Sequence, residues 1–227
     1  MNNKSMSDWI LSARKQGIND LNDFDTNKIK DYQRLKDFGL PVFDDFLCSS
    51  IKFSDKNKGL MKFLEKYSSF VIRAIPNSPN SPRRHKVGVH SFEECLDFLN
   101  EINARKSYNI LLTEHEPTNK GGIIISKISE LIIELGKNIE ILEHGGDPTT
   151  SWFIDLTKPG YLRDKIIEYR KASEIDKQIL NRALNYIDLN QTPFNSRFMR
   201  GYFEFVVTSK NNKIRFLDYK INEKYLK

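Results

Sequence analysis

Two segments near the end of the sequence, Tyr202-Phe-Glu-Phe-Val-Val207 and Lys213-Ile-Arg-Phe-Leu-Asp-Tyr-Lys220, are rich in aromatic and β-branched residues. A short polar stretch with two asparagines separates them, and this combination predicts a β-hairpin. Each segment contains an acidic residue, Glu204 in the first and Asp218 in the second. Because side chains alternate between the two faces of a strand, the length of the turn decides whether these acids share a face.

Two turns are compatible with this hairpin. With a two-residue turn at Asn211-Asn212, Glu204 lies opposite Tyr219, and the two acids point to different faces. With a three-residue loop, Lys210-Asn211-Asn212, and an asparagine in the left-handed conformation, or with an equivalent bulge, Glu204 lies opposite Asp218. In this second register one face carries Tyr202, Glu204, Val206, Phe216, Asp218 and Lys220.

The second register would place two carboxylates side by side. Directly opposed carboxylates repel each other, so this register makes sense chiefly where a cation separates them. Mg²⁺ prefers oxygen ligands and bridges to substrate phosphates, so it suits a site formed by Glu204 and Asp218. The alternative is an exposed charged face on an edge hairpin, and the sequence leaves both interpretations open.

The composition is that of a globular protein. The 227 residues, 39% hydrophobic and 29% charged, suffice for one core or two small lobes. The formal charge of +6 permits an anionic partner, although the basic residues are interleaved with 30 acidic ones, as on an ordinary solvated surface. The sequence contains neither a secretory signal nor a run of about eighteen apolar residues, so we expect a cytoplasmic protein without membrane contact.

Helix caps and hydrophobic periodicity divide the chain into segments. The predicted helices cover residues 8–16, 27–38, 57–67, 91–102, 161–171 and 174–187. The predicted extended segments cover residues 45–53, 70–75, 110–114, 122–127, 130–134, 139–143 and 152–156, and the hairpin follows. Closely spaced strands pair antiparallel, because a parallel pair needs a long crossover. The sequence thus predicts an α+β fold, a mostly antiparallel sheet flanked by helices, in two small lobes at residues 1–106 and 107–227.

Three further features are candidates for ligand contact. Arg73 is the one charged residue inside an apolar strand. A buried arginine would need an anionic partner, and a phosphate group matches the planar guanidinium group. Glu114 and Glu116 share a face at a strand end and could accept hydrogen bonds from an amino group or a sugar hydroxyl. Residues 83–86 are basic and predict an exposed loop able to close over a polyphosphate. An ordinary surface would account equally well for each feature.

The stretch Lys28-Ile-Lys-Asp-Tyr-Gln-Arg-Leu-Lys-Asp-Phe-Gly-Leu-Pro-Val-Phe43 resembles the start of a known nucleotide-binding domain. This is the domain of phosphoenolpyruvate synthases and pyruvate phosphate dikinases, which belong to the ATP-grasp group. In that family a lysine opens a helix, and a Gly-Leu-Pro-Val-Pro turn leads into a strand. Here Lys28 and Gly39-Leu-Pro-Val42 take those places, and Phe43 replaces the second proline.

The resemblance continues along the chain. Val71-Ile-Arg73 is similar to the family's Val-Arg strand, which puts Arg73 at a phosphate-contacting arginine. In the family's closing hairpin a glutamate is followed by Gln-x-Arg, and Glu204, Asp218 and Lys220 fall on the glutamate, the glutamine and the arginine. The Ser-Gly-rich phosphate loop expected after Arg73 is absent, and this sequence does not contain the phosphohistidine and pyruvate-binding domains.

The resemblance implies an ATP-grasp-like protein that binds ATP and Mg²⁺. The residues implied to bind the nucleotide are Lys28, Arg73, Glu114, Glu116 and Lys220. Arg73 and Lys220 would also be catalytic, and Glu204 and Asp218 would hold the metal. A catalytic protein of this kind would be an ATP-dependent phosphotransferase or ligase, with the cations stabilising the transferring charge. The alternative is a noncatalytic binding module, either a degenerate ATP-grasp relative or a basic nucleic-acid-binding protein that uses residues 83–86.

Overall fold

The structure, a computed structural model, describes residues 28–77, 84–103, 108–143, 145–158, 161–190 and 197–220. The chain forms two compact units. The smaller unit is Phe43–Glu116, and the larger unit joins the described parts of Met1–Val42 and Pro117–Lys227. The smaller unit is therefore an insertion between two parts of the larger one. No helix in the described part of the chain is long and apolar enough to cross a membrane.

Both units contain helices and strands. The helices are α1 Lys28–Asp37, α2 Ser50–Ser54, α3 Lys58–Lys66, α4 Phe92–Glu101, α5 Ile139–Glu143 and α6 Glu174–Ile187. The strands are β1 Asp45–Ser49, β2 Phe70–Pro76, β3 Arg84–Val89, β4 Tyr108–Glu114, β5 Thr118–Ser126, β6 Glu130–Gly136, β7 Thr150–Asp155, β8 Ile166–Glu168, β9 Gly201–Thr208 and β10 Ile214–Lys220. One turn of 3-10 helix, Leu162–Lys165, leads into β8.

The smaller unit is built on a four-stranded antiparallel sheet in the order β1-β4-β2-β3. Helix α3 begins where the Asn57 side chain accepts a hydrogen bond from the Leu60 N–H, and α4 begins where Ser91 accepts one from the Glu94 N–H. One face of the sheet packs against α2, α3 and α4. The core between them includes Phe53, Leu60, Phe70, Ile72, Cys95, Phe98, Ile110 and Leu112. Alternate residues of β2 and β4 face the other side.

The larger unit contains a six-stranded antiparallel sheet in the order β10-β9-β5-β6-β7-β8. Its main core joins α1 and α6 to one face of the sheet, with Leu35, Ile133, Trp152, Ile179, Phe203, Phe205 and Phe216 among its members. On the other face Leu142 of α5 packs with Ile123 of β5. Both faces of this sheet therefore carry helices.

The predicted fold class is confirmed, since both units are antiparallel sheets flanked by helices. Helices α1, α3, α4 and α6 form where the caps and the periodicity predicted them. At the end of α1, Gly39 has φ +70°, the left-handed conformation that glycine adopts without a steric penalty. The predicted helix 8–16 lies outside the described residues.

Three of the predicted segments are wrong, and a fourth, the extended segment 45–53, is a strand only as far as Ser49, because Ser49 caps helix α2 by accepting from the Lys52 N–H. Residues 139–143 form helix α5 rather than a strand, because the Asn138 side chain caps a helical turn by accepting from the Ile141 N–H. Residues 161–171 do not form a helix; the 3-10 turn is followed by β8, which pairs with β7. Residues 84–86 of the predicted basic loop lie in the edge strand β3, and residue 83 lies outside the described residues.

The division into units also differs from the predicted lobes 1–106 and 107–227. Strand β4 pairs with β1 and β2, so it belongs to the smaller unit together with its end at Glu114. Helix α1 packs against β10 in the larger unit. Both differences result from pairing between segments that are far apart in the sequence.

A partly buried ion pair ties the start of β5 to the start of α6. The Lys120 ammonium contacts Asp176, whose carboxylate also accepts from the Ser173 hydroxyl at 2.7 Å in a capping box. Burial acts to raise the pKa of Asp176, but the hydrogen bonds from Lys120 and Ser173 outweigh it and hold the pKa below its ordinary value. The ionised carboxylate therefore stabilises the fold.

We expect Asp176→Ala to lower the free energy of unfolding by about 2–3 kcal/mol at neutral pH, because it removes the carboxylate half of the capping box and leaves the Lys120 charge partly buried without its partner. Because the pKa of Asp176 is depressed in the folded state, this stabilisation is lost as pH falls from the unfolded-state pKa through the folded-state pKa. The free energies of unfolding of the wild type and the variant should therefore converge in acid. Chemical denaturation across this pH range measures both effects.

Glu174→Ala is the matched control, since Glu174 lies in the same helical turn and pairs with Lys177 at the surface. Its side chain is 81% exposed, and we expect a change below about 0.5 kcal/mol. Equal effects of the two substitutions would contradict the role given to Asp176.

Candidate functional site

The terminal hairpin closes through a longer loop than either predicted turn. Thr208 N–H donates to the Lys213 carbonyl at 2.9 Å, and the Lys213 N–H donates to the Thr208 hydroxyl at 3.1 Å. Residues 209–212 thus form a four-residue loop, in which Asn212 takes the left-handed conformation with φ 49°. The left-handed asparagine was predicted, whereas both loop lengths were wrong.

A β-bulge at Leu217 corrects the register that this loop creates. Before the bulge Phe216 lies opposite Phe205, and after it Asp218 lies opposite Glu204. Without the extra residue Glu204 would face Leu217, and the two acids would point to opposite faces. The predicted pairing of Glu204 with Asp218 is therefore confirmed, but Phe216, predicted on the acidic face, lies in the main core on the other side.

Each carboxylate of the pair is buried and hydrogen-bonded. Glu204 is 4% exposed, and its Oε1 accepts from the Tyr202 hydroxyl at 2.8 Å. Asp218 is 1% exposed; its Oδ1 accepts from the Tyr219 N–H at 3.0 Å, and the Lys220 Nζ lies 3.3 Å from its Oδ2. The same Nζ lies 5.5 Å from the centre of the Tyr202 ring. Four side chains thus converge on one face of the hairpin.

The tyrosine in this group remains a hydrogen-bond donor at all ordinary pH values. Burial raises the pKa of Tyr202 well above its usual value, and the charge of Glu204 and the hydrogen bond between them raise it further. A protonated hydroxyl orients Glu204 without neutralising it. Lys220 supplies the positive charge that partly balances the two acids.

A third buried acid lies in the same row of the sheet. Ile123 of β5 is opposite Glu204 on one side and opposite Glu134 of β6 on the other, so the three side chains share a face. Glu134 is 2% exposed, and sequence reasoning missed it. Its signal was a charge inside the apolar run Leu131–Leu135, similar to the signal that drew attention to Arg73. Helix α5 covers part of this face, so closely that a Cβ at Gly121 would lie 2.2 Å from the nitrogen of residue 139.

The pair formed by Glu204 and Asp218 fits a hard divalent ion. Mg²⁺ keeps several water ligands and is commonly held by one or two carboxylates together with phosphate oxygens. Within the described residues no group of three His, Cys, Asp or Glu side chains is arranged to hold a metal. A metal at this hairpin would therefore depend on two protein carboxylates and on ligands from water or substrate.

Arg73 lies in the smaller unit, on β2. Its Nη1 donates to the Thr113 hydroxyl on β4 at 2.9 Å, and the side chain is half-buried. Along the sheet it lies between Leu111 of β4 and His85 of β3. The arginine therefore belongs to the sheet face that is opposite the helix-covered core.

Glu114 and Glu116 are brought together at the end of β4. Burial raises the pKa of Glu114; the negative charge of Glu116 and a hydrogen bond between the two carboxyl groups raise it further, while the Asp44 N–H lowers it by donating to Glu114. The Glu116 Oε2 is buried without a hydrogen-bond partner.

The predicted site residues are thus divided between the two units. The larger unit brings together Glu204, Asp218 and Lys220 and contains Lys28 as the first residue of α1. The smaller unit contains Arg73, Glu114 and Glu116. The side chain of Lys28 lies outside the described part of the structure.

Comparison with known proteins found similarity at the level of structure. No protein-family model matches the chain, and no curated protein matches its sequence. D-alanine-D-alanine ligase from Helicobacter pylori is 12% identical with a TM-score of 0.48, over 86% of this chain and 53% of that one. The corresponding ligase from Coxiella burnetii is 13% identical with a TM-score of 0.44, over 85% and 46%. An ATP-grasp ligase in complex with a minimal precursor is 10% identical with a TM-score of 0.38, over 84% and 51%. The chain spans about half the length of these structures.

The proximity of Glu116 to Glu114 generates a prediction about pH. Glu116→Gln removes a negative charge, so the pKa of Glu114 should fall toward its ordinary value. A raised carboxyl pKa makes the folded state lose stability as pH rises through the interval from the unfolded-state pKa to the folded-state pKa. The variant should lose less folding stability than the wild type over this pH interval, and it should be the more stable of the two proteins at neutral pH. NMR titration of the Glu114 carboxyl and denaturation at acidic and neutral pH measure both quantities.

Glu101→Gln at the exposed end of α4 is the control in the same unit, and it should leave the Glu114 titration unchanged. An unaltered pKa of Glu114 in Glu116→Gln would show that the two carboxyl groups do not interact.

Proposed function

We propose that this chain is an ATP-grasp-like protein that binds ATP with Mg²⁺ and transfers its terminal phosphoryl group. The observation that carries the proposal is the buried pair of Glu204 and Asp218, which lie opposite each other with Lys220 beside them. Burial of two like charges is unfavourable unless cations or hydrogen bonds compensate for it. Glu204 and Asp218 would hold a divalent ion, which would supply the compensating charge together with Lys220.

The metal and the basic side chains have complementary roles in this proposal. Mg²⁺ held by Glu204 and Asp218 would neutralise charge on the phosphate chain and orient it for in-line attack. Lys220, Arg73 and Lys28 would contact phosphate oxygens, and Lys220 and Arg73 would stabilise the charge that develops during transfer. Arginine suits this role because its planar fork can bind two oxygens at once.

Glu114 and Glu116 are proposed to bind the other end of the nucleotide. Carboxyl oxygens accept hydrogen bonds, so the pair could accept from an amino group or a hydroxyl. Both the exocyclic amino group of adenine and the ribose hydroxyls have the required chemistry. The unpartnered Oε2 of Glu116 provides an acceptor at this position.

Replacement of the acidic pair tests the metal site. We expect Mg²⁺ and ATP together to raise the melting temperature of the wild type by mass action. Glu204→Gln and Asp218→Asn should each weaken Mg²⁺-dependent ATP binding by about tenfold or more, which is about 1.4 kcal/mol, because each removes a charged oxygen ligand. Isothermal titration calorimetry in the presence and absence of Mg²⁺ measures the change.

Glu140→Gln is the control, since Glu140 is an exposed acid on α5 of the same unit, and its loss should leave ATP binding unchanged. Absence of an ATP-dependent shift in the wild type would overturn the proposed function. A shift with single-stranded RNA or DNA instead would support the nucleic-acid-binding alternative, in which the exposed Arg84 and His85 on β3 contact the backbone.

Arg73 provides an independent test in the smaller unit. Arg73→Met should weaken ATP binding by about tenfold and leave adenosine binding unchanged, because it removes a phosphate contact and no base contact. Arg84→Met on the neighbouring strand is the control for the loss of one positive charge. Calorimetric titration with ATP and with adenosine compares the two ligands. An equal loss of affinity for both would mean that Arg73 acts through the fold of the sheet and not through phosphate.

A further inference from the structure

Lys220 already occupies the position of a counter-cation at the acidic pair. Its Nζ lies 3.3 Å from the Asp218 Oδ2, and its side chain is only 17% exposed. The ammonium group is therefore drawn inward against a buried carboxylate and is largely withdrawn from solvent. Ion pairs at a surface are screened by water, whereas this pair is screened much less.

The neighbours of Lys220 hold it in this place. Lys220 is the cross-strand partner of Tyr202, and its Nζ lies 5.5 Å from the centre of the tyrosine ring. The same tyrosine donates its hydroxyl hydrogen bond to Glu204. The ring thus contacts the cation with its face and orients the second carboxylate with its hydroxyl. Asp218, Lys220, Tyr202 and Glu204 form one connected group.

The ammonium changes the charge that an incoming metal meets. Two ionised carboxylates carry two negative charges, and Lys220 reduces their sum by one. A divalent ion placed between Glu204 and Asp218 would also be close to the ammonium and would be repelled by it. At the low effective dielectric of a buried site, one unit charge at such distances alters binding strongly.

We propose that Lys220 makes metal binding conditional on the nucleotide. Without a ligand, its ammonium neutralises Asp218 and keeps free Mg²⁺ out of the pair. When a polyphosphate is present, its oxygens accept the ammonium, and Asp218 becomes available to the metal that the phosphates carry. Lysine suits such a transfer because its charge is compact and its stem has several rotatable bonds.

The affinities for metal and nucleotide are coupled in both directions. If the nucleotide strengthens metal binding by a given factor, the metal must strengthen nucleotide binding by the same factor. The protein would then bind the metal–nucleotide complex and would bind either component alone weakly. This inference rests on the proposed function, which assigns Glu204 and Asp218 to the metal, and it adds how binding at that site is regulated.

Metal binding without nucleotide is the direct test. The probe is Mn²⁺, followed by electron paramagnetic resonance, because it takes the same oxygen ligands as Mg²⁺. Lys220→Met retains an apolar stem against Tyr202 and removes the charge. We expect this variant to bind Mn²⁺ alone at least about tenfold more tightly than wild type. The gain should disappear in the double variant Lys220→Met/Asp218→Asn.

Lys213→Met is the matched control, since Lys213 is exposed on the same hairpin and its substitution changes the net charge equally. It should leave Mn²⁺ binding at the wild-type level. Circular dichroism checks the fold of each variant, and Lys220→Gln replaces Lys220→Met if the latter does not fold. A gain in Lys220→Met that Lys213→Met shares would overturn the proposal, as would no gain at all.

The wild type supplies a second measurement that needs no variant. ATP should increase its Mn²⁺ affinity by at least about tenfold, and this coupling should shrink in Lys220→Met. Tight binding of Mn²⁺ to the wild type without ATP would overturn the inference and leave the proposed function intact. Failure of the wild type to bind ATP with Mg²⁺ would overturn the proposed function, while the Mn²⁺ affinities of the two proteins would still decide the role of Lys220.

Discussion

The alternation of side chains along β9 determines where the acids of the hairpin can point. Phe203, Phe205 and Val207 are packed in the main core, so Glu204, which lies between them, must face the opposite side of the sheet. Since β9 pairs with β10 on one edge and with β5 on the other, a slip in its register would move aromatic rings out of the core. The position of the carboxylate is therefore maintained by apolar packing on the other face.

The sequence predicted those helix ends that are set by interactions between neighbouring residues. The glycine after α1 and the serine before α4 marked helix ends correctly, because capping acts over a few residues. Residues 139–143 were predicted as a strand because a short apolar run fits either structure, and their close approach to Gly121 is not visible in the sequence. Two lobes were predicted, but their boundaries differ from those of the two units, since the boundaries depend on β4 pairing with the distant β1.

The pairing of the two acids in the candidate site was predicted, but the loop length and the position of the bulge that produce it were not. Glu204 and Asp218 are partners, yet the four-residue loop alone would have separated them, and the bulge at Leu217 restores the pairing. A bulge has no fixed residue signature in this position, so the sequence could not locate it. Glu134 was missed for a related reason. Its place in the row of Glu204 becomes visible only when β5 is known to lie between β6 and β9.

The insertion of the smaller unit has a consequence for how the chain folds during synthesis. Phe43–Glu116 is continuous in sequence, so it can fold as soon as it leaves the ribosome. Helix α1, made earlier, must wait until β10 has been made, because it packs against that strand. Within the larger unit, residues just outside the insertion are also bonded to the hairpin: the Phe216 N–H donates to the Pro41 carbonyl, and the Ser209 N–H donates to the Pro117 carbonyl. Helix α1 is thus among the last described elements of the larger unit to reach its final environment, because loop-closure entropy slows contacts between distant segments.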